Sequence, residues 1–158
     1  TAVHSTYLTV GGHDITRVEF DYYYNLAKND YLNTYSSYLS YMGLDTTKDF
    51  AKQNYSDTMT WKDYFCSLAL ETIKQNKALI DTAEAEGFTY DTAKDVAAFE
   101  SSAKEAASNS DVSMARYYKA TFGSYATFAR IKSFVEDGYY ANAYYKGNLP
   151  FSFKVNGI

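Results

Sequence analysis

The sequence contains one cysteine, one proline and two histidines among its 158 residues. The single cysteine, Cys66, excludes an internal disulfide, and one cysteine with two histidines does not give the paired spacing of a zinc site. Neither His4 nor His13 has a catalytic partner beside it, so no nucleophile, base and orienting group can be recognised together. We therefore predict no catalytic residue, no metal site and no cofactor.

Long apolar runs and basic clusters are also missing. No segment approaches the roughly 18 consecutive apolar residues of a membrane-spanning helix. The formal net charge is -4, whereas binding to nucleic acid needs a clustered basic face. The sequence therefore does not predict a nucleic acid partner, and its length suits one domain with its own core.

Tyrosine is what the sequence has in excess. The chain has 18 tyrosines, and aromatic residues make up 18% of it. A tyrosine ring is apolar but its hydroxyl is polar, so the residue suits both a core and a half-exposed recognition surface. For any one tyrosine both interpretations stay open, but such a surplus favours a surface that is enriched in them.

Helical spacing of apolar residues dominates the middle of the chain. Between Phe20 and Met42, aromatic and apolar residues recur at steps of three and four, which predicts one long helix that begins near Arg17. Thr16 and Glu19 form a capping-box pair at its start. The same reasoning predicts four more helices: Trp61 to Gly87 with a Thr60 cap, Thr92 to about Ala107, Val112 to Thr121, and Ser124 to Gly147.

Both ends of the chain have strand-like patterns. Tyr7 to Val10 favours a short strand or hairpin before the Gly11-Gly12 turn, and Phe151 to Val155 alternates apolar and polar residues. Because a lone strand is unstable, we expect the two ends to pair. The predicted fold is mainly α, with about five helices, two or three of them long, and a small two-stranded sheet that pairs the N- and C-terminal segments. We expect a single domain over 1–158, with a strand-turn entry at 6–16, a helical body at 17–147 and a C-terminal strand or tail at 148–158.

The candidate binding residues are tyrosines of the first and last long helices. In the first helix, Tyr24, Tyr31 and Tyr38 share the face that we expect to be buried. The remaining tyrosines are compatible with a groove for extended polypeptide, with stacking on sugars, or with plain packing between the two helices. The residues predicted to line a peptide-binding wall are Tyr22, Tyr23, Tyr35, Tyr41, Tyr139, Tyr140 and Tyr144.

Three segments resemble the SurA-like N-terminal chaperone domain of SurA and PrsA-type foldases. TYLTVGGHDITRVEFDYYYN is similar to that family's Val-Asn-Gly-x-x-Ile-Thr turn and following helix. ALETIKQNKALIDTAEAEGFTYD resembles its second helix, and YYKATFGSYATFARIKSFVEDGYYANAYY resembles its closing segment. The matching positions are Val10, Gly12, Ile15, Thr16, Glu19, Phe20, Leu79, Ile80, Ala85 and Gly87, with Gly11 in place of the usual Asn.

This resemblance spans about residues 6–147 and implies a chaperone module that binds unfolded polypeptide without ATP. It implies that this chain is part of an exported bacterial protein, the parent, which is secreted or on the cell surface. The resemblance further implies that the signal segment is not in this chain and that the parent contacts the membrane only through a lipid anchor. Many relatives also carry a parvulin prolyl isomerase module, for which this chain has no room. We therefore expect no catalysis by this chain. The alternatives are a surface carbohydrate-binding or adhesion module that uses exposed tyrosines, and part of a prolyl isomerase whose catalytic domain lies outside this chain.

Overall fold

The computed structural model describes residues 2–148, which form five α-helices and two short β-hairpins. The predicted mainly helical class with five helices is confirmed. The elements are β1 Thr6–Val10, β2 His13–Thr16, α1 Arg17–Thr34, β3 Asn54–Ser56, β4 Met59–Thr60, α2 Trp61–Ala85, α3 Ala93–Asn109, α4 Met114–Phe122 and α5 Phe128–Asn148, with 3-10 turns at Ala2–His4 and Phe50–Lys52.

The N-terminal segment forms a hairpin in which β1 pairs antiparallel with β2, and Val10 faces His13. Gly11 and Gly12 have φ of 55° and 82°, as a tight two-residue hairpin turn requires. Because this turn is so short, β1 pairs with the strand that follows it directly. The C-terminal strand that we predicted as its partner, Phe151 to Val155, lies outside the described residues.

Helix α1 begins where the sequence predicts it and ends earlier. The Thr16 hydroxyl accepts a hydrogen bond from the Glu19 amide at 3.3 Å, which is the Thr16 half of the predicted capping box. The Glu19 carboxylate binds Lys77 Nζ instead. The helix stops at Thr34 instead of continuing to Met42, so the predicted length is wrong. From Asn33 onward the sequence is rich in Asn, Thr and Ser, which compete with the helix through local side-chain hydrogen bonds. Residues 35–43 form successive turns instead.

A compact loop region joins α1 to α2. Leu44 is buried in it. The Gln53 side chain accepts a hydrogen bond from Asp45 N at 2.8 Å and donates one to Asp45 O at 2.9 Å. Asp49 caps the 3-10 turn at Phe50–Lys52. The sequence did not predict the small β3–β4 hairpin that follows. This region holds β3 beside the first turn of α2.

Helix α2 is the centre of the bundle and packs against both α1 and α5. Its start is fixed by a complete capping box between Thr60 and Asp63, which includes the predicted Thr60 cap. Helix α3 packs on α4 and α5, and α4 packs on α1. The cap of helix α5 lies three residues after the expected Ser124, because Thr127 and not Ser124 accepts the capping hydrogen bond from the Arg130 amide.

Two groups of buried residues result. The main core joins the hairpin to all five helices and includes Val10, Ile15, Val18, Phe20, Tyr22, Tyr23, Ala69, Ile73, Val96, Ala103, Tyr118, Phe122, Ala126, Ile131 and Val135. A smaller group, which we call the aromatic core, is centred on Leu44, Trp61 and Phe65. It lies where the end of α1, the loop region and the start of α2 meet.

One stability prediction follows from the interior of α5. A methyl group built on Gly138 meets no atom within 4 Å, and a glycine inside a helix costs about 1 kcal/mol relative to alanine. Gly138→Ala is therefore expected to raise the free energy of unfolding by about 0.5–1 kcal/mol, measured by urea denaturation. Gly87→Ala is the matched control. Gly87 has φ of 71°, so alanine is strained there and should lower stability; the same sign for both variants would contradict the prediction.

Candidate functional site

Four tyrosines from three elements form one continuous aromatic surface, which we call the tyrosine cluster: Tyr31, Tyr35, Tyr55 and Tyr64. Ring centroids lie 4.6 Å apart for Tyr35 and Tyr31, 5.5 Å for Tyr31 and Tyr64, and 4.0 Å for Tyr64 and Tyr55. The last pair is stacked, with an interplanar angle of 9°. Tyr35 and Tyr55 are 43% and 42% exposed, and the two tyrosines between them are half-buried. The rings that are accessible to solvent are therefore part of one continuous row of contacting rings.

The tyrosine cluster rests on two buried rings of α2. Trp61 and Phe65 are 2% and 0% exposed. Trp61 lies 4.9 Å from Tyr55 and 5.7 Å from Tyr31, and Phe65 lies 5.6 Å from Tyr31. Edge-to-face and tilted pairs at such distances add to the stabilisation from apolar burial. The rings that face solvent are consequently held by a packed floor.

Local helical spacing explains part of this arrangement. Tyr31 and Tyr35 are four residues apart at the end of α1, so they share a face, as do Trp61, Tyr64 and Phe65 in the first turns of α2. The capping box at Thr60 sets the direction of that first turn. Tyr55 comes from β3 and reaches the cluster only because the β3–β4 hairpin folds back onto α2.

Burial and neighbouring tyrosines affect the hydroxyl groups of Tyr31 and Tyr64. Burial raises the pKa of Tyr31, and the neighbouring Tyr55 and Tyr35 raise it further. Burial likewise raises the pKa of Tyr64, with Tyr55 as the next cause. Tyr31 also donates a hydrogen bond to Met42 Sδ at 3.5 Å. The phenols of Tyr31 and Tyr64 therefore remain protonated at neutral pH. The hydroxyl groups of the cluster offer both donors and acceptors beside apolar rings.

Three of the tyrosines predicted to line a binding wall are buried, so the expectation that they face solvent is wrong. Tyr22 is packed between Phe122 at 5.7 Å and Phe134 at 5.8 Å. Tyr23 is 2% exposed and accepts a hydrogen bond from Asn76 Nδ2 at 3.4 Å. Tyr144 is buried and donates to Glu86 Oε2 at 2.8 Å. Each ring has partners on distant segments of the chain that the sequence does not reveal.

The other four predicted residues are accessible but do not form one site. Tyr35 belongs to the tyrosine cluster, and Tyr41 is 92% exposed in the turns after α1. Tyr139 and Tyr140 are half-buried on α5, where Tyr140 donates to the Phe88 carbonyl at 2.7 Å. Within residues 2–148, no ring contact joins Tyr35 or Tyr41 to the tyrosines of α5. The predicted groove between the first and last helices is thus divided into two separate surfaces.

Three members of the tyrosine cluster were missed by sequence reasoning. Tyr31 was assigned to a buried face with Tyr24 and Tyr38, but Tyr38 is 63% exposed because α1 ends before it. The spacing of Trp61 and Tyr64 on α2 is a signal that could have identified Tyr64. No local signal points to Tyr55.

A partly buried charge network links α1, α2 and α5 beside the main core. Lys77 Nζ lies 2.9 Å from Glu19 Oε2 and 3.8 Å from Asp137 Oδ2, and Glu19 is 5% exposed. Burial raises the pKa of Asp137, although Lys77 partly opposes this. Since the lysine is enclosed by its two partners, we interpret the network as structural.

A groove with a volume of about 500 Å³ runs between α2 and α5. Its lining combines the amides of Gln75, Asn76 and Asn142 with Leu79 and Tyr145. Amide groups both donate and accept hydrogen bonds, and an aromatic ring offers a stacking face. The groove therefore offers both hydrogen-bonding groups and a stacking face to a sugar.

Other chemistry was sought in the described residues. His13 Nε2 lies 2.9 Å from Asp81 Oδ1, a pairing between β2 and α2 that the sequence did not indicate. No group of three or more His, Cys, Asp or Glu side chains within 2–148 is placed to share a metal ion. None of the helices in this part of the chain combines the length and the hydropathy needed to cross a membrane.

The fold and the site define a small, mainly helical protein with a tyrosine surface that packs on buried aromatic rings. No protein-family model, no curated protein and no solved structure matches this chain.

Proposed function

We propose that this chain is a non-catalytic chaperone module that binds unfolded or extended polypeptide at the tyrosine cluster, without ATP. The observation that carries the proposal is the row of four contacting tyrosine rings, exposed at Tyr35 and Tyr55 and supported from below by Trp61 and Phe65. The partner is an unfolded polypeptide client, and an extracytoplasmic location on the cell surface or in the secreted fraction belongs to the same proposal.

Physical chemistry supports this use of the surface. Tyrosine supplies a large contact area while losing little conformational freedom, which is why it is abundant in recognition surfaces. Rings that are already packed against a floor lose less entropy on binding than free side chains do. Apolar ring faces next to donor and acceptor hydroxyls fit a chain that presents both side chains and unpaired peptide groups, without selecting one sequence.

Removing the two exposed rings is expected to weaken client binding at least about tenfold, since truncated aromatic anchors commonly cost about 2 kcal/mol or more. The change is the double variant Tyr35→Ala, Tyr55→Ala, and the measurement is anisotropy of a fluorescein-labelled, permanently unfolded protein. Tyr35→Phe, Tyr55→Phe keeps the rings and should keep most of the affinity. Tyr125→Ala removes a ring of similar exposure, 37%, that makes no ring contact in the described part of the chain.

An aggregation assay with the same variants tests the function itself. The unaltered chain in several-fold excess should suppress aggregation of a refolding client, and the Tyr35→Ala, Tyr55→Ala variant should lose this effect while Tyr125→Ala keeps it. Equal loss in both variants would contradict a role for the tyrosine cluster. No suppression by the unaltered chain would contradict the proposed function.

Carbohydrate binding is the second candidate, and the amide-lined groove between α2 and α5 favours it. Glycan-array binding that is lost in Asn142→Ala and kept in Tyr35→Ala, Tyr55→Ala would favour this candidate over the first. The reverse pattern with unfolded polypeptide would reject it.

A further inference from the structure

Two adjoining hollows form a basic groove on the face made by α1, α2 and α4. The first, about 580 Å³, is lined by Arg116 and Lys119 of α4. The second, about 410 Å³, is lined by Arg17 and Lys62 at the starts of α1 and α2. Lys119 and Ser124 line both hollows, so the two are continuous. We call this surface, with Arg17, Lys62, Arg116 and Lys119, the basic groove.

The basic groove is positively charged on a chain whose net charge is -4. Its one carboxylate is that of Asp21, which is bound to Arg17 Nε at 3.0 Å. Nearby Asp63 is held by the Thr60 amide in the cap of α2. Within residues 2–148, Lys62, Arg116 and Lys119 form no ion pair. Three cations are therefore available to a ligand that carries negative charge.

Aromatic rings lie beside the cations in the second hollow. Tyr7, Phe20 and Tyr24 line it. Tyr7 is half exposed, lies 5.1 Å from Phe20, and has the Arg17 guanidinium 4.9 Å above its ring. This part of the groove thus offers aromatic contact beside positive charge, and not charge alone.

We propose that the basic groove binds acidic segments of extended polypeptide, at a site separate from the tyrosine cluster. Cations in both hollows, with aromatic rings beside them in the second, fit a chain that carries several carboxylates and apolar side chains. Different carboxylates of such a chain can pair with different cations. A single phosphate would instead need donors that converge on one point. Nucleic acid would need a more extensive basic face than four side chains on an acidic protein. The inference does not depend on the tyrosine cluster binding clients.

The test compares two labelled peptides of equal length, one alternating Glu with Leu and the other alternating Lys with Leu, by fluorescence anisotropy. The acidic peptide should bind more tightly, and raising the salt concentration from 50 to 500 mM should weaken it several-fold. Arg116→Glu, Lys119→Glu should reduce its binding at least about tenfold. Lys104→Glu is the control, because Lys104 is an exposed cation of α3 outside the groove.

Each outcome is informative. Equal binding of both peptides, or equal loss in the control and the groove variant, would overturn the inference. Unchanged binding in Tyr35→Ala, Tyr55→Ala with loss in the groove variant supports a separate site, whereas the opposite pattern overturns it while leaving the proposed function standing.

Far-UV circular dichroism checks that the variants are folded, and Arg116→Gln, Lys119→Gln gives a milder change. If sedimentation velocity shows that the unaltered chain is a dimer and that Arg116→Glu, Lys119→Glu makes it a monomer, the groove is a dimer contact and the inference is wrong.

Discussion

Phe65→Ala is expected to lower the free energy of unfolding by about 3–5 kcal/mol, as the removal of a buried phenylalanine commonly does. Phe65 is fully buried, and its ring contacts Tyr24, Tyr31, Phe50 and Trp61 at 5.6–6.4 Å. It therefore joins the end of α1, the loop region and α2 in one place. Urea denaturation followed by circular dichroism gives the measurement.

Two comparisons make this prediction specific. Phe65→Leu keeps most of the apolar volume and should cost less than about 1.5 kcal/mol. Phe88→Ala removes a half-buried ring that contacts Tyr140 and Tyr144 of α5 instead, and it should leave polypeptide binding unchanged. A loss below 1 kcal/mol for Phe65→Ala would mean that the tyrosine cluster does not rest on a packed floor.

Lys77→Met is expected to lower the free energy of unfolding by about 3–5 kcal/mol, because it leaves a buried carboxylate without its partner. Glu19 is 5% exposed and accepts from Lys77 Nζ at 2.9 Å. The double variant Lys77→Met, Glu19→Gln removes both buried charges and should recover part of the loss. A double variant that is as unstable as the sum of the two single variants would show that the two charges are not coupled.

Asp137 gives the same network a dependence on pH. Burial raises the pKa of Asp137 in the folded protein above its value in the unfolded chain, so protonation favours the folded state. The stabilising contribution is fully present below the unfolded pKa of about 3.9, and it is lost as the pH rises through the folded pKa. Compared with the unaltered chain, Asp137→Asn should show a smaller fall in stability over this interval, measured by urea denaturation at a series of pH values.

Local signals were sufficient for much of the fold. The caps at Thr16 and Thr60 and the turn at Gly11-Gly12 each depend on a few neighbouring residues, so the starts of α1 and α2 and the end of β1 were predicted. The end of α1 was not, because the aromatic period continues to Met42 while Ser and Thr residues favour turns. Ring spacing alone did not reveal which of the two preferences prevails.

The candidate site depends mostly on contacts between distant segments. Tyr22 and Tyr23 stand beside Tyr24 in the sequence, yet Phe122, Phe134 and Asn76 enclose them from other helices. Tyr55 meets Tyr64 only through a hairpin that has no strong sequence signal. The basic groove is a similar case, since no Lys/Arg cluster occurs in the sequence and the fold brings Lys62 and Lys119 together.

The position of the single tryptophan makes one region of this molecule observable by itself. Trp61 contacts Tyr31, Tyr55 and Tyr64, and these tyrosines can transfer excitation energy to it. The fluorescence of Trp61 therefore reports on the aromatic core and not on the main core. Circular dichroism follows the helices as a whole. If the fluorescence changes at a lower urea concentration than the circular dichroism, the aromatic core opens before the bundle unfolds. A bound client should then bring the two transitions together.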